Sequence, residues 1–235
     1  MTDCGSMVRR DSWLTERTGA YLLRQERAAL AEALPTIFGY FLVQVGMWGP
    51  AGGLLHASPI RAQFVLAPEP DPASQVRTEP EALPLAGDSV DAVLLPHTLE
   101  HARDPHCVLR EAERVMVGEG HLIILGFHPW GCWALRQRLG AVTPWAGRYV
   151  GVRRLREWLA VLGFETVSVR HYLFRPPLAR GLLVRSAFLD HWRWRITAGA
   201  YMLVACKRVY GVTPLRLRRI TPKRAFADVA NPTLR

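Results

Sequence analysis

The sequence predicts an α/β fold in which helices flank a mostly parallel sheet. Residues 89–127 are the main indication, because they read as a strand, a polar turn, an amphipathic helix, a glycine-bearing turn and a second strand. Residues 90–95 are nearly all apolar, as in a strand buried on both faces of a parallel sheet. Two late segments read as strands that close the fold: residues 164–174, which alternate, and residues 200–208.

The helix within this unit has a clear start and end. Asp104 and Pro105 supply an N-cap and a first helical residue. Gly118 and Gly120 are predicted to end the helix, and residues 122–125 form the next strand. One apolar stripe at helical spacing faces the core: Val108, Leu109, Ala112, Val115 and Met116. Polar residues gather where the first strand of the unit ends.

The N-terminal part supplies the preceding elements. Residues 12–34 are predicted to be helical, and residues 41–45 form a strand that leads into a glycine-bearing turn at 46–53. A second strand covers residues 62–67. The prolines within 68–72 exclude a long helix directly after it, so the helix between the second and third strands is expected to be short or missing.

The C-terminal part contains two further predicted helices, 131–139 and 153–162, while residues 178–194 fit no single element. We expect one domain over residues 1–212, with an N-terminal helical segment at 1–35, and a basic tail at 213–235.

The composition limits the classes of protein. The chain has 235 residues, of which 49% are hydrophobic, enough for one core. Its apolar runs are shorter than the roughly 20 residues that cross a bilayer, and no signal peptide is visible, so a cytoplasmic location is expected. The four cysteines are scattered, which argues against a zinc or disulfide framework. His97 and His101 stand four apart, but no HExxH motif accompanies them, so no metal site is expected.

Positive charge is concentrated in the second part of the chain. Residues 150–235 hold 17 Lys and Arg against 4 Asp and Glu, whereas residues 1–149 hold 13 against 16. Such a field attracts nucleic acid, acidic lipid head groups or phosphorylated metabolites. A solvated basic face that aids solubility is an equal alternative.

The segment from Ser89 to Gly120 resembles the strand-four to strand-five core of class I S-adenosylmethionine-dependent methyltransferases, in particular the methyltransferase type 11 group. The resemblance implies a Rossmann-like, seven-stranded, mostly parallel sheet with an antiparallel final hairpin, and S-adenosylmethionine as cofactor. The residues that carry it are Ser89-Val90-Asp91, Leu99-Glu100-His101, Asp104-Pro105, Arg110-Glu111, Arg114-Val115-Met116 and Gly118-Glu119-Gly120.

The resemblance implies that the turn after the first strand holds the methionine part of the cofactor. The family pattern is an acidic residue, an apolar residue and then Gly-x-Gly-x-Gly. Here Gln44 replaces the carboxylate, Gly46 keeps its place, and Trp48 and Pro50 replace the other two glycines. Gly49 is predicted to allow the close backbone approach instead.

Further cofactor contacts follow from the resemblance. Glu69 is expected to bind the ribose hydroxyls, with Asp71 as the alternative if the loop is shifted. Glu79 is expected to face the adenine amino group, and Ala82 or Leu83 to pack against the ring.

The turn after the fourth strand, which includes Pro96 and His97, would lie nearest the transferred methyl group. His97 and His101 are the predicted catalytic residues, with His128 as a third candidate, because a histidine that titrates near neutrality suits a general base. A structural role for His101 is at least as well supported.

Three functions remain open. The first is methyl transfer from S-adenosylmethionine to a small-molecule or metabolite acceptor. The altered turn at residues 46–50 suggests a non-catalytic binding or regulatory protein on the same fold. The basic C-terminal half suggests association with RNA or an anionic membrane surface. Residues 95–98 lack the Asp/Asn-Pro-Pro-Tyr/Phe motif of enzymes that methylate base amino groups, and the sequence indicates neither the acceptor nor the oligomeric state.

Overall fold

The structure is a computed structural model that describes residues 14, 17–49, 53–68, 74–131, 147–172 and 199–209. The predicted helix beyond Gly131, the segment 178–194 and the tail at 213–235 lie outside this part. The elements are, in chain order, α1 (Arg17–Ala33), a 3-10 turn (Leu34–Thr36), β1 (Phe41–Val45), β2 (Ala62–Ala67), β3 (Val76–Arg77), β4 (Val90–Pro96), α2 (Thr98–His101), α3 (Pro105–Val115), β5 (Met116–Phe127), α4 (Val152–Val161), β6 (Phe164–Tyr172) and β7 (Ala200–Lys207).

The strands form one seven-stranded sheet in the order β3-β2-β1-β4-β5-β7-β6. β1 pairs in parallel with β2 and β4, and the parallel pairing continues to β3 on one side and β5 on the other. β7 lies antiparallel between β5 and β6. The predicted Rossmann-like sheet with an antiparallel final hairpin is confirmed.

The central strands of the sheet are buried on both faces, and neighbouring residues of each of these strands point to opposite faces. On one face, Leu42 and Leu94 pack with α1 and with the segment around Leu54. On the other face, Val43 and Leu95 pack with α3 and α4. The apolar residues of these strands therefore contribute to two core layers, one on each face of the sheet.

Helix α3 has the predicted cap. The Asp104 carboxylate accepts hydrogen bonds from the amides of His106 and Cys107, and Pro105 is the first helical residue. All five residues of the predicted stripe are buried. Four of them lie on α3, whereas Met116 is the first residue of β5. β5 therefore begins earlier than the predicted residue 122.

Gly118 and Gly120 lie within β5 and not in a turn before it. The pairing with β4 shifts between Val90 and Ala92, which face Met116 and His121. Extra residues of β5 therefore bulge at this point, and Glu119 takes a positive φ of 63°. The glycines in this segment belong to a bulge. A glycine pattern alone does not distinguish a bulge from a turn.

Two short elements were not predicted from the residues: β3, with two residues, and α2, with four. Residues 68–75 separate β2 from β3, and residues 69–73, where a short or missing helix is expected, lie outside the described part. α2 occupies the polar turn after β4, and it positions the side chains discussed below.

The surface of the described residues bears on two further expectations. No helix among them has both the length and the apolar character to cross a bilayer. Part of the basic C-terminal half lies on α4, where Arg153, Arg154 and Arg156 are exposed. The Arg154 guanidinium stands 5.1 Å from the centre of the Trp158 ring.

Candidate functional site

The carboxyl ends of four neighbouring parallel strands, β3, β2, β1 and β4, meet at one edge of the sheet. The chain leaves β1 towards β2 on one side and leaves β4 towards β5 on the other. In open α/β sheets, this reversal opens a crevice in which ligands bind. The residues that follow β1 and β4 are therefore the first candidates for a binding site.

The turn after β1 requires glycine at residue 46. Gly46 has a φ of +99°, and its amide donates to the Leu66 carbonyl at 2.7 Å. A Cβ atom at this residue would lie 2.8 Å from the Thr98 hydroxyl, which donates to the Val45 carbonyl. The start of α2 is thus packed against the turn, with no room for a side chain between them.

Gly49, in the same turn, faces α1. It has a φ of +74°, and a Cβ atom there would lie 2.9 Å from a methyl carbon of Leu23. The N-terminal helix, α1, therefore packs directly against the turn.

Gln44 directs a polar group into the same region. Its side chain is buried, and its amide nitrogen donates to the Gly46 carbonyl at 3.0 Å. Its side-chain oxygen has no hydrogen-bond partner within the described part of the chain. Since buried acceptors are nearly always satisfied, this oxygen is suited to a ligand that donates hydrogen bonds.

The predicted adenine-side residues lie in the turn after β3. Glu79 and Ala82 are exposed, whereas Leu83 is buried and its amide donates to a Glu111 carboxylate oxygen at 3.1 Å. Parallel pairing of β3 with β2 puts this turn at the carboxyl edge. Glu69 and its alternative, Asp71, lie outside the described residues.

His97 occupies the turn after β4 and is clamped between two carboxylates. Its backbone is left-handed, with a φ of 55°. Nε2 stands 2.8 Å from Glu26 Oε1, and Nδ1 stands 3.1 Å from Glu100 Oε2. The exposed fractions are 0% for Glu26, 1% for His97 and 4% for Glu100.

Aromatic rings and backbone groups complete this cluster. The Trp48 ring lies 4.2 Å and the Phe127 ring 4.4 Å from the imidazole, centre to centre. The Trp48 indole donates to Glu26 Oε2 at 2.6 Å, and the Phe127 amide donates to Glu100 Oε1. Each carboxylate oxygen of the Glu26–His97–Glu100 cluster therefore has a donor.

The charge of His97 follows from these neighbours. Burial disfavours the imidazolium, but the Glu100 and Glu26 carboxylates outweigh burial and raise the pKa of His97 to about 9. At neutral pH both ring nitrogens then donate hydrogen bonds. This arrangement offers no lone pair for accepting a proton, so it supports a structural role for His97 and not the predicted role of general base.

Stability is expected to depend on pH through His97. Its pKa is about 9 in the folded chain and about 6.5 in an unfolded one. The stabilisation is fully present below pH 6.5 and is lost as pH rises through 9, a change of about 3 kcal/mol. Urea unfolding at pH 6 and pH 9.5, with the His97 signals followed by NMR, measures it. A His97 ring that titrates near pH 6.5 in the folded protein would contradict the expectation.

The other predicted residues of this region lie in different settings. Pro96 is buried at the end of β4. His101 is exposed at the end of α2, and His128 is half-buried just after β5. Burial lowers the pKa of His128, so this ring is neutral at pH 7, and its Nδ1 accepts a hydrogen bond from the Trp130 amide at 3.3 Å. Of the three predicted histidines, His128 therefore combines partial burial with a neutral ring.

Sequence reasoning missed Glu26 and took Trp48 only as a lost glycine. A signal for Glu26 was present: it lies four residues from both Leu22 and Leu30, in the middle of the buried stripe of α1. A carboxylate on the apolar face of a helix needs a buried partner.

Comparison with known proteins shows where this architecture occurs. Residues 58–124 match the family described as "Methyltransferase domain". The chain is 39% identical over 105 residues to the uncharacterized protein YafS of Escherichia coli, covering 43% of this chain and 44% of YafS. It is 30% identical over 184 residues to the uncharacterized protein Rv2003c of Mycobacterium tuberculosis, covering 72% of this chain and 62% of that protein. The matches thus span 44% to 62% of the length of these relatives.

A solved structure shares the fold. A SAM-dependent methyltransferase from Archaeoglobus fulgidus superposes with a TM-score of 0.59 at 18% identity, over 78% of this chain and 94% of that one. The family match includes β4, α3 and most of β5, and the sheet has the predicted seven strands with an antiparallel final pair. The chain therefore shares the fold of class I S-adenosylmethionine-dependent methyltransferases, and its residues 58–124 match a methyltransferase domain.

Proposed function

We propose that the chain binds S-adenosylmethionine at the carboxyl edge of β1–β4 and transfers its methyl group to a small-molecule acceptor. The observation that carries the proposal is the buried, unsatisfied oxygen of Gln44 beside the Gly46 turn at the switch point of the sheet. An ammonium group such as that of the methionine part is a suitable donor to this oxygen.

Different residues of the chain would bind different parts of the cofactor. Gln44, Gly46 and Gly49 would hold the methionine part, and Glu69 the ribose. Glu79 and Ala82–Leu83 would lie at the adenine, with Pro96 and the backbone of His97 beside the methionine end. When bound, the cofactor supplies an electrophilic methyl group on a sulfonium sulfur.

The residues of the chain would align the acceptor atom with the methyl group and exclude water, as an in-line displacement requires. The Glu26–His97–Glu100 cluster fixes the turns after β1 and β4 relative to one another. His101 and His128 are the candidates for accepting a proton from a hydroxyl or thiol acceptor, and of these His128 is half-buried and neutral.

The position of α1 favours a small acceptor. Leu23 and Glu26 are buried against the turn after β1 and against His97, so the helix covers this side of the edge. A covered edge admits a small molecule more readily than a nucleic-acid or protein surface.

Calorimetric titration with S-adenosylhomocysteine tests the cofactor site. We expect binding in the micromolar range, and roughly tenfold weaker binding for Gln44→Leu, which keeps the size of the side chain but removes its polar atoms. Arg153→Gln, on exposed α4, serves as the control and should bind like the parent chain. Absence of binding by the parent chain at about 1 mM would rule the proposal out.

A further inference from the structure

We infer that Glu26 is a positioning residue for the cofactor turn, acting through Trp48 from the N-terminal helix. This inference rests on the proposed function. It concerns a carboxylate on α1 that contacts the turn after β1.

The two oxygens of Glu26 serve two different partners. Oε1 stands 2.8 Å from His97 Nε2, and Oε2 accepts from the Trp48 indole at 2.6 Å. Glu26 is fully buried, so water does not compete for either bond. Hydrogen bonds to an ionised acceptor in such surroundings are short and directional.

Trp48 lies between the two residues of the turn that have positive φ, Gly46 and Gly49. Glycines leave the backbone many conformations, and a turn that contains two of them needs external contacts to keep one. Helix α1 supplies such contacts about one helical turn apart: Leu23 packs against Gly49, and Glu26 binds Trp48. The indole that replaces a family glycine is thus the side chain by which α1 holds the turn.

Two substitutions separate the effect of Glu26 on the turn from its ion pair with His97. Trp48→Phe removes the indole N–H but keeps both carboxylates beside His97. Glu26→Gln removes the charge and alters both bonds. If Glu26 acts on the turn through Trp48, the two substitutions interrupt one path and their effects should not add.

The experiment measures the dissociation constant of S-adenosylhomocysteine by calorimetry at 10 °C for Trp48→Phe, Glu26→Gln and the double variant. NMR of the His97 ring accompanies each titration. We expect each single substitution to weaken binding roughly tenfold, and the double variant to be no more than about twofold weaker than the weaker single one. The His97 ring should stay protonated at pH 7.5 in Trp48→Phe.

The control is Glu32→Gln on the same helix. Glu32 is exposed and paired with Arg170, so its substitution should change binding by less than about twofold. Trp48→Phe decides the inference even if Glu26→Gln does not fold. Unchanged binding by Trp48→Phe, or additive losses in the double variant, would overturn it. Absence of binding by the parent chain would instead refute the proposed function.

Discussion

Replacement of His97 by leucine is expected to destabilise the fold by roughly 3–5 kcal/mol at pH 7.5. The substitution removes the cation between Glu26 and Glu100, both of which are buried. Two carboxylates would then stay in a region of low dielectric constant with no opposite charge, where their interaction with water is lost. Urea unfolding followed by circular dichroism measures the change in free energy.

The loss should depend on pH. The stabilisation by protonated His97 is fully present below about pH 6.5 and is lost as pH rises through 9, so His97→Leu should be closer in stability to the parent at pH 9.5 than at pH 6. The double variant Glu26→Leu/His97→Leu is the matched control and should be more stable than His97→Leu alone, because it removes one unpaired carboxylate. A loss below about 1 kcal/mol with no pH dependence would show that His97 does not bridge the two glutamates.

The sheet could be predicted because its signals are local. Residues 90–95 are apolar except for Asp91, Asp104-Pro105 caps the next helix, and both features depend on neighbours in the sequence. The boundary at Met116 could not be predicted, since an apolar residue suits the end of α3 and the start of β5 equally. The bulge at residues 118–120 reflects pairing with β4, which the glycines do not encode by themselves.

The candidate site depends on contacts between distant residues, and its prediction was less complete. His97 was recognised as a site residue from its place after a buried strand, but its charge is set by Glu100 together with Glu26, which lies 71 residues earlier in the chain. Trp48 looked like a loss of function in the glycine-rich turn, and its bond to Glu26 is visible only in three dimensions. Local patterns thus located the edge of the sheet, while the chemistry of that edge depends on how α1 packs.

Gly46→Val is expected to weaken S-adenosylhomocysteine binding by at least about tenfold and to destabilise the fold by about 1–3 kcal/mol. Gly46 has a φ of +99°, which a β-branched residue rarely adopts. Its Cβ atom would also lie 2.8 Å from the Thr98 hydroxyl. Because that hydroxyl donates to the Val45 carbonyl, it cannot move away without losing its bond. Calorimetry and urea unfolding measure the two effects.

Gly87→Ala provides the control for Gly46→Val. Gly87 is exposed, and a Cβ atom there would lie 3.4 Å from the Arg114 carbonyl, without a positive φ. We therefore expect parent-like binding and a change in stability within about 0.5 kcal/mol. If Gly46→Val folds and binds S-adenosylhomocysteine like the parent chain, the cofactor does not lie against this turn. Since Gln44 and Gly49 were assigned to the same part of the cofactor, that result would remove their assignment as well.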